Sequence, residues 1–186
     1  MTPGTPSSGL PQKLILAITK DRSRSTWIST VYSLLETVRT GSEKLKGIKL
    51  AGIVLVHPFL WAEKPLSSKS SKAKTDVEKL WRFVSPSTRG LTDPRINPAM
   101  DRRLSKLGCN RVLVCIAGKD LVAEGNYGYV RALHSSGWKE VLEIMVQKDM
   151  GHDFHLNPKY GRRPEAKAML KRVASLIMQN KAKDPA

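Results

Sequence analysis

An aspartate in "AGKDL" and a histidine in "QKDMGHDFHLNP" are the residues of this chain whose types and placing can do chemistry together. Asp120 comes just past the strand-like run "RVLVCIAG", and His152 just past "VLEIMV". A neutral imidazole takes a proton from a nucleophilic hydroxyl when a carboxylate fixes its tautomer and stabilises the cation that forms. Asp120 would be that carboxylate and His152 that base. Both residue types are also common in loops as solvated or capping groups, so spacing alone leaves the role open. His152, Asp153 and His155 can be imagined as metal ligands, but one short loop without a third partner elsewhere is a poor metal site. No metal and no cofactor are expected.

The elements that must position these residues read as alternating strands and helices. "KLILAIT" (Lys13 to Thr19) is a candidate short strand, followed by a helix in "STWISTVYSLLETV" capped near Ser25 or Thr26. "IKLAGIVLVHPF" (Ile48 to Phe59) is a strand whose continuous apolar run predicts burial on both faces, stopped at His57 by Pro58. "AEKPLSSKSSKAKTD" reads as a polar loop without periodicity, and a short amphipathic helix is expected from Asp76 in "DVEKLWRFV". "SPSTRGLTDPRINPAMD" is a long irregular segment of the kind that forms pocket walls. After Arg111–Gly118 a helix is expected in "YGYVRALHSSGW", with Tyr127, Val130 and Leu133 on one side and Gly137 as its stop. The tail opens a helix at Pro164 and puts Ala166, Met169, Leu170, Val173, Leu176 and Ile177 on one stripe. Apolar strands alternating with helices predict an α/β fold with a mostly parallel sheet and helices on both faces. Chemistry in such sheets sits beyond the carboxyl ends of the strands, where Asp120 and His152 are.

Composition narrows the function classes. The chain has 186 residues, 40% of them hydrophobic, which suits one domain with a sizeable core. Its longest apolar runs are strand-sized, so no membrane partner is expected. The start of the chain lacks the pattern of a secretory signal and resembles a transit peptide only weakly; a cytoplasmic location is expected. Cys109 and Cys115 are too few for a disulfide framework and read as structural and reduced. The net charge of +16 invites a nucleic-acid reading. The excess is spread along the chain, however, and no zinc-finger spacing, aromatic RNP-like stretch or basic heptad region accompanies it. Nonspecific attraction to polyanions is expected, and specific nucleic-acid binding is not.

Three blocks carry a resemblance: "GSEKLKGIKLAGIVLVHPFLW", "KLWRFVSPSTRGLTDPRINPAMDRRLSKLGCNRVLVCIAGKDLVAEGNYGYVRALHSSGWKEVLEI" and "GHDFHLNP". Over Gly41 to Pro158 the chain resembles the C-terminal half of plant carboxylesterases of the alpha/beta-hydrolase fold-3 type, the hormone-sensitive-lipase-like group that includes gibberellin receptors. The resemblance implies a truncated alpha/beta-hydrolase fold and a small-molecule ester substrate. It gives Asp120 in "GKDL" the part of catalytic acid and His152 in "GHDFHL" that of catalytic base. His155 matches a second histidine of the motif, read as a packing or loop-bonding residue.

The departures from that family are as informative as the matches. No "HGG" and no G-x-S-x-G occurs in this sequence. Counting back from Gly41 without gaps puts the nucleophile elbow on "STWIS", with Trp27 where the nucleophile should stand. Trp offers no nucleophilic oxygen, and Ser23, Ser25 and Ser29 lack the elbow's glycines and read as solvated or capping. The expected organisation is a divergent segment over 1–40 and the C-terminal half of the hydrolase domain over 41–186. The expected function is a carboxylesterase-family domain that is catalytically deficient, the alternative being a noncatalytic ligand- or partner-binding module. An active esterase using Ser25 or Ser29 is a further possibility, which a serine-directed probe separates.

Overall fold

The computed structural model describes residues 12–18, 48–62 and 71–181. Its strands and helices are β1 (Gln12–Ile18), β2 (Ile48–Val56), α1 (Ser71–Val84), β3 (Arg111–Ala117), α2 (Ala123–Ser135), β4 (Val141–Gln147) and α3 (Pro164–Lys181). The four strands form one sheet in the order β1-β2-β3-β4, and every neighbouring pair is parallel. The candidate strand near the start is thus a strand, joined to β2 with a register shift between Leu14 and Ile15. The helix expected in "STWISTVYSLLETV" lies outside the described residues.

Alternation along β2 and β3 divides the core in two. Ile53, Leu55, Val112, Val114 and Ile116 pack with Tyr129, Val130 and Leu133 of α2. Val54, Val56, Leu113 and Cys115 point the other way and pack with Ala166, Met169 and Leu176 of α3. Helices therefore cover opposite faces, and the two central strands are buried on both sides, as continuous apolar strands of a parallel sheet require. A third cluster under α1 joins Trp61, Val77, Trp81 and Ile96.

Several boundaries differ from expectation. α1 begins at Ser71, five residues before Asp76. Its first turn, "SKAKT", has no apolar stripe, but Lys and Ala are good helix formers. α2 begins at Ala123 rather than near Tyr127, because the turn after Asp120 starts it; it ends before Gly137, whose φ of +87° few other residues adopt. Among the described residues β4 is an edge strand, with Val141, Ile144 and Val146 exposed. In α3, Leu170 is exposed and lies outside the buried stripe. The irregular segment before β3 contains three 3-10 turns, at Gly90–Thr92, Pro98–Met100 and Leu104–Lys106. Within it Asp93 is buried and accepts hydrogen bonds from Arg95 (2.6 Å) and from the hydroxyl of Thr88 (2.8 Å).

Candidate active site

Asp120 and His152 are brought together by the way two post-strand loops interlock. Past β3, the Gly118 amide donates to the Gln147 carbonyl and the Lys119 amide to the Met150 carbonyl, each at 2.9 Å. A Cβ on Gly118 would meet the Lys148 carbonyl oxygen at 2.4 Å, so only glycine lets the loops after β3 and β4 lie this close. The chain then turns, and Asp120 Oδ1 accepts the Val122 amide at 3.1 Å. Its other oxygen, Oδ2, is 2.5 Å from His152 Nδ1. The Asp120 side chain is 3% exposed and that of His152 26%, so the carboxylate is enclosed and the imidazole reaches the surface.

The expected pairing of these two residues is present. An Nδ1–H donated to Asp120 leaves Nε2 as the basic nitrogen of His152. That atom has no hydrogen-bond partner, and it stands 3.4 Å from Asp153 Oδ2. Chemically, the arrangement is an oriented imidazole whose accepting nitrogen is enclosed beside the Asp153 carboxylate and makes no hydrogen bond. The serines at 23, 25 and 29, and Trp27, lie outside the described residues.

His57 is a residue of this site that the sequence reading recorded only as the end of a strand. It follows β2 with φ +46°, its amide donating to the Cys115 carbonyl at 3.0 Å, and its ring is fully buried. Neither ring nitrogen has a hydrogen bond; Nδ1 is 3.7 Å from Asp153 Oδ1. The His57 ring lies 5.2 Å from Phe154, 5.3 Å from His155 and 6.2 Å from His152. Asp153 has the same unusual backbone, at φ +51°, and Asp and His tolerate this region better than most residues. The signal that would have found His57 is the one that found the other two: a polar residue just beyond the carboxyl end of a buried strand.

Two groups here are electrostatically displaced. Burial pushes the Asp153 carboxyl up, but the facing His57 ring and the fields of His152, His57 and His155 together hold it below the usual carboxylate value. His155 sits below the usual imidazole value, through burial first and then the field of His57, with Asp153 pulling the other way. His57, Asp153 and His155 each offer a ligand atom within 4.8 Å of the others. His57, just past β2, is thus a donor from outside the loop that the sequence reading did not bring to it.

Comparison with known proteins agrees with the sheet. A family model described as alpha/beta hydrolase fold matches residues 32–156. Probable carboxylesterase 1 of Arabidopsis thaliana is 39% identical over 122 residues, which is 64% of this chain and 38% of that protein. Probable carboxylesterase 7 of the same plant is 40% identical over 127 residues, 66% of this chain and 40% of its own length. The chain thus spans about two fifths of the length of these two relatives. Among solved structures, brefeldin A esterase, a bacterial homologue of human hormone sensitive lipase, superposes with a TM-score of 0.59. It is 15% identical, over 80% of this chain and 43% of that one, a likeness of fold. With a parallel sheet of this order and a family match over most of its length, the chain belongs to the alpha/beta hydrolase fold family.

Proposed function

We propose that this chain carries the acid and base half of a carboxylic ester hydrolase site, with Asp120 as orienting acid and His152 as base, and that it is catalytically deficient as it stands. The observation that carries the reading is the 2.5 Å approach of His152 Nδ1 to Asp120 Oδ2, with Nε2 left without a hydrogen bond. Supporting the deficiency is the sequence itself, which has Trp27 at the counted elbow position and no G-x-S-x-G. Without a hydroxyl to activate, an oriented imidazole gives only what binding and polar contacts supply. The working division keeps 1–40 as a divergent segment, from which β1 joins the sheet, and 41–186 as the C-terminal half of the hydrolase domain. The ester substrate class follows from the carboxylesterase relatives.

The test is hydrolysis of an activated short-chain acyl ester by the purified chain and by His152→Ala, together with labelling by a serine-directed fluorophosphonate. Equal, background-level rates and no labelling are expected. In an intact triad the base acts as part of a unit, and its loss costs several orders of magnitude. A fall of about a hundredfold or more in His152→Ala, with labelling at Ser23, Ser25 or Ser29, would overturn the reading and identify a working nucleophile.

A further inference from the structure

The loop that carries His152 faces a residue that no esterase role explains. His57 is 0% exposed, yet both of its ring nitrogens lack a hydrogen bond. An imidazole buried in that state loses its hydration without replacement, which is costly unless something absent from the protein chain supplies the partner. The same deficit recurs in the two side chains around it, because Asp153 Oδ1 and His155 Nδ1 are also enclosed without a hydrogen bond. These are an imidazole, a carboxylate and an imidazole from two separate elements, converging on one point. Asp120 and His152 pair with each other through Nδ1, and His152 Nε2, although it too lacks a hydrogen bond and lies 3.4 Å from Asp153 Oδ2, is outside the three residues whose ligand atoms converge within 4.8 Å.

We propose that His57, Asp153 and His155 form a binding site for a divalent transition metal of the zinc type, next to but distinct from the Asp120–His152 pair. Two nitrogens and one carboxylate oxygen are a donor set that suits zinc, with a fourth position left for water. Tetrahedral coordination at about 2.0–2.1 Å places donor atoms roughly 3.4 Å apart. The present spread, up to 4.8 Å, closes to that with a little over an ångström of side-chain movement. The 3.7 Å between His57 Nδ1 and Asp153 Oδ1 already lies near the required value. Phe154 lies against the His57 ring and gives the site an apolar wall, which strengthens ligand–metal attraction by excluding water. Bound metal would pin the loop after β4 to the end of β2, and so fix the backbone from which His152 projects.

The experiment is calorimetric titration of the chelator-stripped, dialysed protein with Zn2+, and replacement by Co2+ read by visible absorption. One equivalent binding in the micromolar range, with the intense visible bands of four- or five-coordinate Co2+, is expected. Asp153→Asn, which keeps shape and removes the charge, should weaken binding at least about tenfold, and His57→Ala by more. His152→Ala should stay within a few-fold of the parent. Far-ultraviolet circular dichroism of each variant in chelator separates loss of the site from loss of the fold, and Asp153→Asn is the decisive variant if His57→Ala fails to fold. Binding no tighter than millimolar, or binding that survives Asp153→Asn and disappears in His152→Ala, would overturn the proposal. Neither result bears on ester hydrolysis, so this site and the deficient triad stand or fall separately.

Discussion

Asp93 shows how one carboxylate can organise an otherwise irregular segment. Burial would raise its pKa, but bonds from the Arg95 side chain and amide, the Thr88 hydroxyl and the Arg89 amide bring it well below the ordinary carboxylate value. A group held lower in the folded state than in the unfolded one adds stability above the unfolded pKa, about 3.9, and loses it as pH falls through the folded value. Thermal unfolding followed from pH 6 down to pH 2 should therefore show a drop below about pH 4 that is shallower in Asp93→Asn. At pH 6 the same substitution should cost about 2 kcal/mol, the scale of hydrogen bonds to a buried charge. The cysteines make the opposite case: burial pushes both thiols up to about 12. Since the thiolate is the reactive form, neither Cys109 nor Cys115 should be alkylated by iodoacetamide in the native protein at pH 8, and both should be after denaturation, as mass spectrometry can read.

At the level of elements, close approach of backbones decides more than side-chain pattern. A Cβ on Gly125, in the first turns of α2, would stand 1.9 Å from the Leu60 carbonyl oxygen. Gly125→Ala must push α2 off the segment after β2, and a loss of about 3 kcal/mol or more in denaturant unfolding is expected. The central strands were legible in the sequence because Ile53 to Val56 and Val112 to Ile116 are apolar runs bounded by polar or turn residues, a local signal. The starts of α1 and α2 were not. "SKAKT" has no stripe to read, and α2 begins where Asp120 accepts the Val122 amide, a turn that no periodicity announces. The edge position of β4 was equally hidden, since "VLEIMV" is as apolar as a buried strand and only pairing determines its neighbours. Of the site, Asp120 and His152 could be found from their place after strands. His57 could not be joined to them, because the convergence of the chain at 57 with the loop at 153–155 is set by the sheet order, not by sequence distance.

The molecule as a whole is a parallel sheet with strands in chain order, so the carboxyl ends of β2, β3 and β4 fall along one rim. Residues far apart in sequence, His57, Asp120 and His152, become neighbours there for a reason that concerns topology more than local chemistry. The excess of positive charge has no part in that gathering: Asp93, Asp101 and Asp120 are buried carboxylates in a strongly basic chain. β3 pairs along its length with β4 and over Val112–Cys115 with β2, whereas β4 has no strand partner on its outer side among the described residues. That asymmetry should be visible as time. Whichever side a β3 amide faces, a neighbouring strand is there to hold it over Val112–Cys115, so exchange along that stretch requires the sheet itself to open and should proceed at the rate of global opening. Along β4, amides turned outward should exchange in an alternating, faster set, because a parallel strand directs successive residues to opposite neighbours. Residue-resolved exchange measured by NMR would then read two clocks from adjacent strands, and equal protection of every amide in β4 would show that its outer edge is covered.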